Sequence, residues 1–230
     1  MLLERRSRPV RGIRLITRDT APFSIQIVPL RRVTVDDVLR TLDGLTDHDG
    51  PIVTSALSTI EQRPFIEAGF AERESLHLLR HNFRDLPRTR RPLQTRKARR
   101  ADLDTVLRID ADGFDAFWRM DERGLVAARR ATPTHRYRVA TNDDDAVIGY
   151  TVAGLAGATS YLQRLSVDRD HRHVGTGTGL VLDAIDWAMR RGALAMMVNT
   201  QESNLGAISL YESLGFLADA EKLRVLEWPR

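Results

Sequence analysis

The chain has 230 residues, of which 42% are hydrophobic and 29% charged, a composition ordinary for a folded globular protein. It excludes collagen-like, low-complexity and wholly disordered chains, and no apolar run approaches the roughly 18 residues that cross a bilayer. The net charge of +4 comes with a strong excess of arginine over lysine, and the absence of cysteine excludes disulfides, thiolate nucleophiles and cysteine-bound metals. Because the first residues lack the apolar core of a signal peptide, we expect a cytoplasmic protein.

The first part of the chain, residues 1–86, predicts a small unit of alternating strands and helices. Apolar alternation and helical periodicity predict the order strand, helix, strand, helix, strand. These five elements are expected at residues 24–30, 35–45, 52–57, 61–68 and 74–80.

An arginine-rich segment, residues 84–100, follows the first unit. Its prolines, Pro87 and Pro92, stiffen and extend the chain. One interpretation is a solvated linker, residues 87–92, that leads into the second unit. The other is a surface for polyanions such as nucleic acid, although the segment lacks the aromatic residues on which bases stack.

The second unit, residues 93–230, predicts hairpins first and a strand–helix–strand crossover later. Its strands are expected at residues 95–98, 135–141, 146–153, 159–167, 194–200 and 222–227. Its helices are expected at residues 101–111, 177–191 and 204–214, with 114–130 helical or irregular. This order predicts an α/β (α+β) fold: a mixed, mostly antiparallel sheet flanked by helices.

The strongest functional signal is a glycine-rich loop between a strand and a helix. The strand ends in Leu165-Ser166-Val167, and the loop contains Arg172-His173-Val174-Gly175-Thr176-Gly177. Glycines leave backbone N–H groups accessible and a helix N-terminus adds partial positive charge, so the loop suits a pyrophosphate. A flexible connection is the alternative. The loop is not a dinucleotide-binding G-x-G-x-x-G, because Leu180 replaces the third glycine, nor a P-loop, because no Gly-Lys-Ser/Thr follows.

A second motif follows the loop in the chain. It consists of Ser203-Asn204, Ala207, Leu210-Tyr211-Glu212 and Gly215-Phe216. With both motifs in this order and spacing, residues 93–230 resemble the GNAT superfamily of acyl-CoA-dependent N-acyltransferases. The resemblance is greatest to members that acetylate proteins and small amines, and the whole layout resembles two-unit members with one degenerate half.

The resemblance implies acetyl-CoA as a co-substrate and no metal. The residues expected to hold acetyl-CoA are Leu165, Ser166, Val167, Arg172, His173, Val174, Gly175, Thr176, Gly177 and Asn204. Backbone amides at the strand end would hold the thioester carbonyl, and the free strand edge would pair with the pantetheine arm. Tyr211 would protonate the leaving thiolate, because its usual pKa of about 10 keeps the phenol protonated at pH 7. The alternatives are a packing aromatic at Tyr211 and a helix N-cap at Asn204.

No residue stands out as the general base. Glu202, at a strand end, is one candidate catalytic residue. Asp115, Asp121 and Glu122 are others, in a segment that in this family helps to shape the acceptor site. Ordered water could also relay the proton.

Several histidines and aromatic residues near these motifs have simpler explanations. His171 and His173 could contact phosphate, but solvated loop side chains explain them as well. Trp118, Tyr150 and Tyr161 could line an acceptor pocket, although each is more often a core residue.

The first unit resembles a degenerate copy of the second. Residues 65–70 echo residues 211–216, but Phe65 stands where the second unit has Tyr211 and has no hydroxyl to donate. No glycine precedes the helix expected at residues 35–45. We therefore expect a structural, GNAT-like unit that does not bind CoA.

The sequence thus predicts an N-acetyltransferase that transfers an acetyl group to a primary amine by direct attack in a ternary complex. The alternatives are a catalytically inactive acyl-CoA-binding sensor or scaffold and a nucleic-acid-associated protein that uses residues 84–100. The expected partner is an amine-bearing acceptor, either a small molecule or a protein. Neither a membrane nor nucleic acid is expected as a partner, and a homodimer is left open.

Overall fold

The computed structural model of the chain describes residues 10–17, 25–46, 48–86 and 93–229. The predicted linker, residues 87–92, lies outside them. The chain divides into two compact units: unit 1 comprises Met1–His77 and Ala220–Arg230, and unit 2 comprises Leu78–Asp219. The C-terminal residues therefore group with unit 1, whereas the sequence assigned all of 93–230 to the second unit.

The elements alternate along the chain as the sequence predicts. The strands are β1 (Ile13–Thr17), β2 (Ile25–Pro29), β3 (Ile52–Thr54), β4 (Ala71–His81), β5 (Thr95–Lys97), β6 (Thr134–Thr141), β7 (Val147–Ala156), β8 (Thr159–Val167), β9 (Ala195–Gln201) and β10 (Leu217–Trp228). The α-helices are α1 (Val35–Asp43), α2 (Thr59–Glu67), α3 (Leu103–Gly113), α4 (Glu122–Arg130), α5 (Thr176–Arg190) and α6 (Leu205–Ser213). Strand β1 was not predicted, and residues 114–121 are irregular before α4 begins.

In unit 2 the strands follow the order β9-β8-β7-β6-β5. All neighbours are antiparallel except β8 and β9, which the crossover through α5 makes parallel. Helices cover the sheet, so the predicted mixed, mostly antiparallel α/β fold is confirmed.

The parallel pair β8–β9 separates soon after it starts. Its residue pairs run from Thr159↔Ala195 to Tyr161↔Met197. The register of β8 against β7 shifts at this point, because Val152 faces Arg164 while Ala153 faces Leu162, which leaves Gln163 as an extra residue. Such a bulge bends the strand and increases its twist. The C-terminal half of β8 therefore has an open edge on the β9 side.

Helix α5 packs its apolar face on the sheet of unit 2. Its positions Leu180, Val181, Ala184, Ile185 and Ala188 are buried, with the i, i+3 and i+4 spacing of one helix face. All of them except Leu180 pack in one hydrophobic cluster with residues of β8, β9 and α6, and Leu180 packs in a second cluster with Ala140 and Ile148. Burial of this face fixes where the first turn of α5 lies.

Within unit 1 three strands pair side by side in the order β1-β2-β3. Strand β2 is antiparallel to β1 and parallel to β3, with α1 as the crossover. The C-terminal strand joins these strands, because Glu227 pairs with Val53 and Trp228 with Ile52. Leu226 is buried in the hydrophobic cluster of unit 1. These contacts explain why residues 220–230 belong to unit 1.

Two stretches of the chain, residues 13–81 and 147–228, repeat one order of elements. The order β1-β2-α1-β3-α2-β4 matches β7-β8-α5-β9-α6-β10, with an antiparallel pair followed by a parallel crossover in each. The ends of α2 and α6 also agree in detail: the Phe70 N–H donates to the Phe65 carbonyl at 3.0 Å, and the Phe216 N–H donates to the Tyr211 carbonyl at 3.0 Å. The sequence echo therefore extends to structure.

Within the described part of the chain, no helix is long and apolar enough to cross a membrane.

Candidate functional site

The first turn of α5 offers free backbone donors. Gly175 is the N-cap residue, adopts a left-handed conformation with φ of 96°, and makes no side-chain cap. The first amides of an α-helix have no partner within the helix. A Cβ added at Gly175 would meet no atom within 4 Å, so the space on the Cβ side of Gly175 is open. This geometry suits an anion such as a pyrophosphate.

The other residues of the loop mainly support its shape. Thr176 is buried, whereas Val174 is 74% exposed and His173 lies at a positive φ. Gly177 faces Leu210, because an added Cβ would lie 3.2 Å from Leu210 Cδ2. The missing side chain of Gly177 therefore allows α5 and α6 to approach, a packing role that the sequence analysis did not identify.

Arg172 binds the protein's own backbone. Its Nε donates to the Val167 carbonyl at 3.0 Å, and its Nη2 donates to the Asp112 carbonyl at 3.2 Å. Arg172, predicted to help hold acetyl-CoA, thus uses two of its N–H groups to join the loop to the end of β8 and to α3. The structure assigns Arg172 a positioning role in the loop.

Asp168 fixes the turn that follows β8. Its carboxylate accepts hydrogen bonds from Arg108 at 2.9 Å and from the Asp170 N–H at 3.2 Å. Burial raises the pKa of Asp168, but these hydrogen bonds outweigh burial and leave that pKa below its usual value. His171 lies 3.5 Å from the same carboxylate, so its ring is a neighbour of the turn.

The open edge of β8 carries peptide groups that do not pair with β7, although the Val167 carbonyl already accepts from Arg172. The Asp168 N–H donates to the Ile148 carbonyl of β7 at 2.9 Å. Because alternate residues of an antiparallel strand direct their peptide groups to opposite sides, Leu165 and Val167 direct theirs away from β7. Ser166 points its hydroxyl to the Ile109 carbonyl at 2.9 Å, so its side chain anchors α3. An extended ligand could pair with this edge as an added strand does.

Helix α6 supplies the two residues predicted from the second motif. Asn204 is its N-cap, and the Asn204 Oδ1 accepts a hydrogen bond from the Ala207 N–H at 3.1 Å. Tyr211 is buried and packs on Phe216 with ring centroids 5.5 Å apart. Burial raises the pKa of Tyr211 well above its usual value, and the positive charge of Arg164 opposes that shift. Asn204 is therefore a helix N-cap and Tyr211 a packing aromatic, as the two alternatives from the sequence proposed.

The four candidates for the general base differ in their hydrogen bonds and in their exposure to solvent. Glu202 lies in the exposed turn after β9. The Asp115 carboxylate accepts from the Phe117 N–H at 3.0 Å, and the Asp121 carboxylate caps α4 through the Gly124 N–H at 2.6 Å. These two aspartates thus have local structural partners, whereas Glu122 is exposed. Within the described ranges no group of three or more His, Asp or Glu side chains could hold a metal ion.

A buried ion pair, which the sequence did not predict, joins α3 and β8. Arg164 donates from Nε and Nη2 to Asp110 at 2.7 and 2.8 Å, and both side chains are almost fully buried. The Tyr150 hydroxyl also donates to Asp110. Asp110 follows Val106 by one helical turn on the buried face of α3, and Arg164 occupies an inward position of β8. The sequence signal that could have revealed this pair is a charged residue at a position where the pattern of α3 or β8 predicts a buried apolar residue.

This ion pair holds the irregular segment 114–121. Arg164 Nη2 donates to the Trp118 carbonyl at 2.6 Å, and its guanidinium stacks over the Phe114 ring at 3.3 Å from the centroid. Asp110 accepts from the Met120 N–H at 2.7 Å. Removing one partner of a buried pair typically costs about 3–5 kcal/mol, because the other charge stays buried alone. The segment is therefore fixed from beneath by two opposite charges.

The three aromatic candidates for an acceptor pocket separate in the structure. Tyr150 is completely buried, and burial raises the pKa of its phenol well above the usual value. Trp118 is half-buried in the segment held by Arg164, and Tyr161 is 38% exposed on β8. Tyr150 is thus a core residue, as the simpler alternative proposed.

Helix α1 of unit 1, which corresponds to α5, has a capped N-terminus. Thr34 caps α1 by accepting from the Asp37 N–H, and the Asp37 carboxylate accepts from the Thr34 N–H. Two acidic residues, Asp36 and Asp37, lie in this first turn, whereas α5 has none. Occupied donors and negative charge make the start of α1 a poor place for a phosphate.

Comparisons with known proteins agree with this geometry. The pattern of the Acetyltransferase (GNAT) family matches residues 103–216. The [Ribosomal protein bS18]-alanine N-acetyltransferase of Escherichia coli is 34% identical over 122 residues, which are 50% of this chain and 81% of that protein.

Solved structures resemble the fold over most of the chain. A GCN5-related N-acetyltransferase from Kribbella flavida gives a TM-score of 0.65 at 16% identity, covering 96% of this chain and 91% of that one. A tandem GNAT protein from the clavulanic acid biosynthesis pathway gives 0.64 at 15% identity, covering 94% and 77%. With its family pattern, its relative and its fold in agreement, the chain is an acyltransferase that belongs to the GNAT acetyltransferase family.

Proposed function

We propose that unit 2 transfers an acetyl group from acetyl-CoA to the primary amine of a protein or small molecule, by direct attack in a ternary complex. One observation carries the proposal: an uncapped helix N-terminus at Gly175 lies directly after a strand whose edge is open. The first suits a pyrophosphate, and the second suits the amide-containing pantetheine arm. The family's general use of acetyl-CoA agrees with this fit.

The roles of the residues follow from their positions. The amides at the start of α5 bind the pyrophosphate. The peptide groups of Leu165 and the Val167 N–H pair with the arm and hold the thioester carbonyl, while the Val167 carbonyl stays bound to Arg172. In the transfer the amine nitrogen bonds to the carbonyl carbon, the carbon–sulfur bond breaks, and Tyr211 gives its proton to the leaving sulfur. Glu202 or a water molecule takes the proton that the amine loses.

Burial of Tyr211 works against its proposed role as a proton donor. A phenol whose pKa is raised by burial is a weak donor to a thiolate, whose usual pKa is about 8.5. The positive charge of Arg164 opposes this rise in the pKa of Tyr211, but Asp110 neutralises that charge. Arg164 is therefore proposed to act by positioning segment 114–121.

The acceptor is proposed to approach beside segment 114–121, which the buried ion pair fixes. The Escherichia coli relative is named for acetylating the alanine of ribosomal protein bS18. A peptide with the N-terminal sequence of this chain's own cognate bS18 is therefore the first acceptor to test.

Unit 1 is proposed to be a degenerate copy that binds no CoA. The supporting observations are the repeated order of elements, the capped start of α1, and Phe65 at the position of Tyr211. Its function on this proposal is structural.

The deciding experiment is a calorimetric titration of acetyl-CoA into the wild type and two glycine variants. Gly175→Val should weaken binding roughly tenfold or more, because its side chain fills the open space at the amides. Gly192→Val is the matched control: Gly192 also has a positive φ and open space, but at the other end of α5. It should bind acetyl-CoA like the wild type.

Three results would contradict the proposal in different ways. Absence of acetyl-CoA binding by folded wild-type protein would reject the thioester site. Equal weakening in both variants would place the pyrophosphate elsewhere. Normal binding without CoA release in the presence of any amine acceptor, beginning with the bS18 peptide, would identify an acyl-CoA sensor.

A further inference from the structure

A basic cleft of about 570 Å³ lies in unit 2 between β5, β6 and α4 and reaches the C-terminal end of α5. Its volume is that of a small-molecule site. One acidic residue, Glu122, is among the residues that line it. The cations in its wall include part of the arginine-rich segment that the sequence analysis singled out.

Several of these cations have no carboxylate to neutralise them. Arg99 pairs with Asp145, and Arg136 pairs with Asp183. Among the residues that the structure describes, no ion pair involves the other cations of the wall, namely Lys97, Arg100, Arg129, Arg138 and Arg191. Such an excess of positive charge attracts anions.

Three of the residues that line the cleft hold buried donors without partners. Tyr137 Oη, Arg129 Nε and Arg138 Nε are buried and have no hydrogen-bond partner among the described residues. A buried polar group left unsatisfied costs about 1–3 kcal/mol. Burial raises the pKa of Tyr137 to about 12, so its hydroxyl keeps a proton to donate. All three groups can donate, and the missing partner is therefore an acceptor.

The shape and charge of the wall limit the ligand further. Leu125, Val126 and Trp187 contribute apolar surface beside the cations. The pKa of His135 is lowered, first by burial and then by the charges of Arg129 and Lys97, which reflects the positive field inside the cleft. A compact organic body with several oxyanion groups satisfies both kinds of surface.

The cleft is separate from the proposed acetyl-CoA site. Arg191 follows the last residue of α5, and Gly175 precedes the first. At 1.5 Å per residue, roughly 20 Å of helix lies between these two ends. None of the residues that line the cleft belongs to β8, the glycine-rich loop or α6.

We propose that this cleft binds a small organic anion with two or more oxyanion groups, phosphate or carboxylate. Arginine forks and the Tyr137 hydroxyl donate to its oxygens, and the apolar wall holds its body. This is a second ligand site of unit 2, and its occupancy does not depend on acetyl transfer.

The test is calorimetric titration of pyrophosphate, and separately of citrate, into the full chain in a chloride buffer. All proteins carry Gly175→Val, which removes the loop as a competing anion site and makes the result independent of the proposed function. One binding event per chain is expected. Replacing Arg129→Gln and Arg191→Gln together should weaken binding tenfold or more, since each removes charged hydrogen bonds.

The control is the double variant Arg130→Gln and Arg190→Gln. It changes the same charge on the same two helices at adjacent residues that do not line the cleft, so binding should stay within about twofold of the parent. Because either double variant could unfold, thermal unfolding is measured for both, and Tyr137→Phe, which keeps the ring, serves as the second variant. It should weaken binding severalfold.

The outcomes separate the sources of the anion. Binding of pyrophosphate alone identifies phosphate groups, binding of citrate alone identifies carboxylates, and either supports the site. No binding of either, or equal weakening in both double variants, overturns it. A short single-stranded oligonucleotide is titrated as well. If it binds more tightly than pyrophosphate and citrate, and if its binding requires Arg129 and Arg191, the ligand of the cleft is nucleic acid and the small-anion proposal is overturned.

Discussion

Tyr211 combines a core position with a proposed chemical role. Its ring packs on Phe216 in the hydrophobic cluster that α5 and α6 share, and its pKa is raised by burial. The hydroxyl therefore keeps its proton over the whole working pH range. Removing only the oxygen distinguishes the two roles, because phenylalanine retains the packing.

Tyr211→Phe is expected to lower kcat roughly 100-fold or more, the usual size of general acid catalysis, with little change in acetyl-CoA affinity. The measurement is steady-state kinetics with an amine acceptor and calorimetry with acetyl-CoA. Tyr161→Phe, which removes the hydroxyl of a partly exposed tyrosine on β8, should leave kcat unchanged. An unchanged kcat in Tyr211→Phe would leave this residue with packing alone.

Some functional side chains can be identified from the sequence, and others only from the folded structure. Gly175, Asn204 and Tyr211 stand in motifs whose spacing follows from local structure. Asp110 and Arg164 meet across 54 residues of chain, and only the folded sheet brings them together. A charged residue on an apolar helix face signals such a pair without naming its partner.

At the scale of elements, the end of α6 depends on a histidine of β4. His81 is buried, its Nε2 lies 2.9 Å from the Leu214 carbonyl, and its Nδ1 accepts from the Phe83 N–H at 2.7 Å. Nε2 therefore carries the hydrogen, and the ring is neutral. Burial lowers the pKa of His81 below the usual 6.5, partly opposed by the bond to Leu214.

The free energy of unfolding should fall as pH decreases below about 6.5. The unfolded chain takes up a proton at its ordinary pKa, whereas folded His81 resists protonation until a lower pH, so protons favour unfolding in that interval. Urea unfolding between pH 8 and 5.5 measures this slope. His81→Gln should reduce it, and His173→Gln, in the exposed loop, should not. Identical slopes in His81→Gln and wild type would exclude His81 as the source.

The prediction of elements succeeded where the signal was local. Strand β8 has its predicted bounds, and α5 and α6 begin and end within one residue of theirs, because glycine and asparagine mark helix ends through backbone conformation and capping. Strand β1 was missed, and the irregular segment 114–121 depends on Asp110 and Arg164. The bulge at Gln163, which opens the edge of β8, also has no local sequence signal.

At the scale of the whole molecule, the C-terminal strand changes the assignment of units. Strand β10 follows the motifs of unit 2 in the chain, yet Leu226 lies in the core of unit 1 and its N–H donates to Thr54 Oγ1 at 2.9 Å. Unit 1 is therefore built from both ends of the chain. Its folding requires contacts between residues far apart in sequence, which slow folding in general.

Leu226→Ala should destabilise unit 1 by about 2–5 kcal/mol, because it leaves a cavity at a buried leucine. Hydrogen exchange should show lost protection in β2 and β3. Leu217→Ala is the control on the same strand, since Leu217 is 72% exposed and its truncation should cost little. Protection lost in β7 and β8 instead would return the C-terminal strand to unit 2, as the sequence analysis had it.

The sequence by itself determined the order of all elements except β1, and the loop that suits a pyrophosphate. These features rest on hydrophobic periodicity, helix ends and glycine conformation, which act over a few residues. The GNAT family was indicated by the resemblance of two motifs in the second unit. The tertiary structure decided the open edge of β8, the ion pair beneath segment 114–121, the basic cleft and the place of the last strand. Each of these joins residues distant in the chain, and their contacts depend on packing that no local pattern encodes.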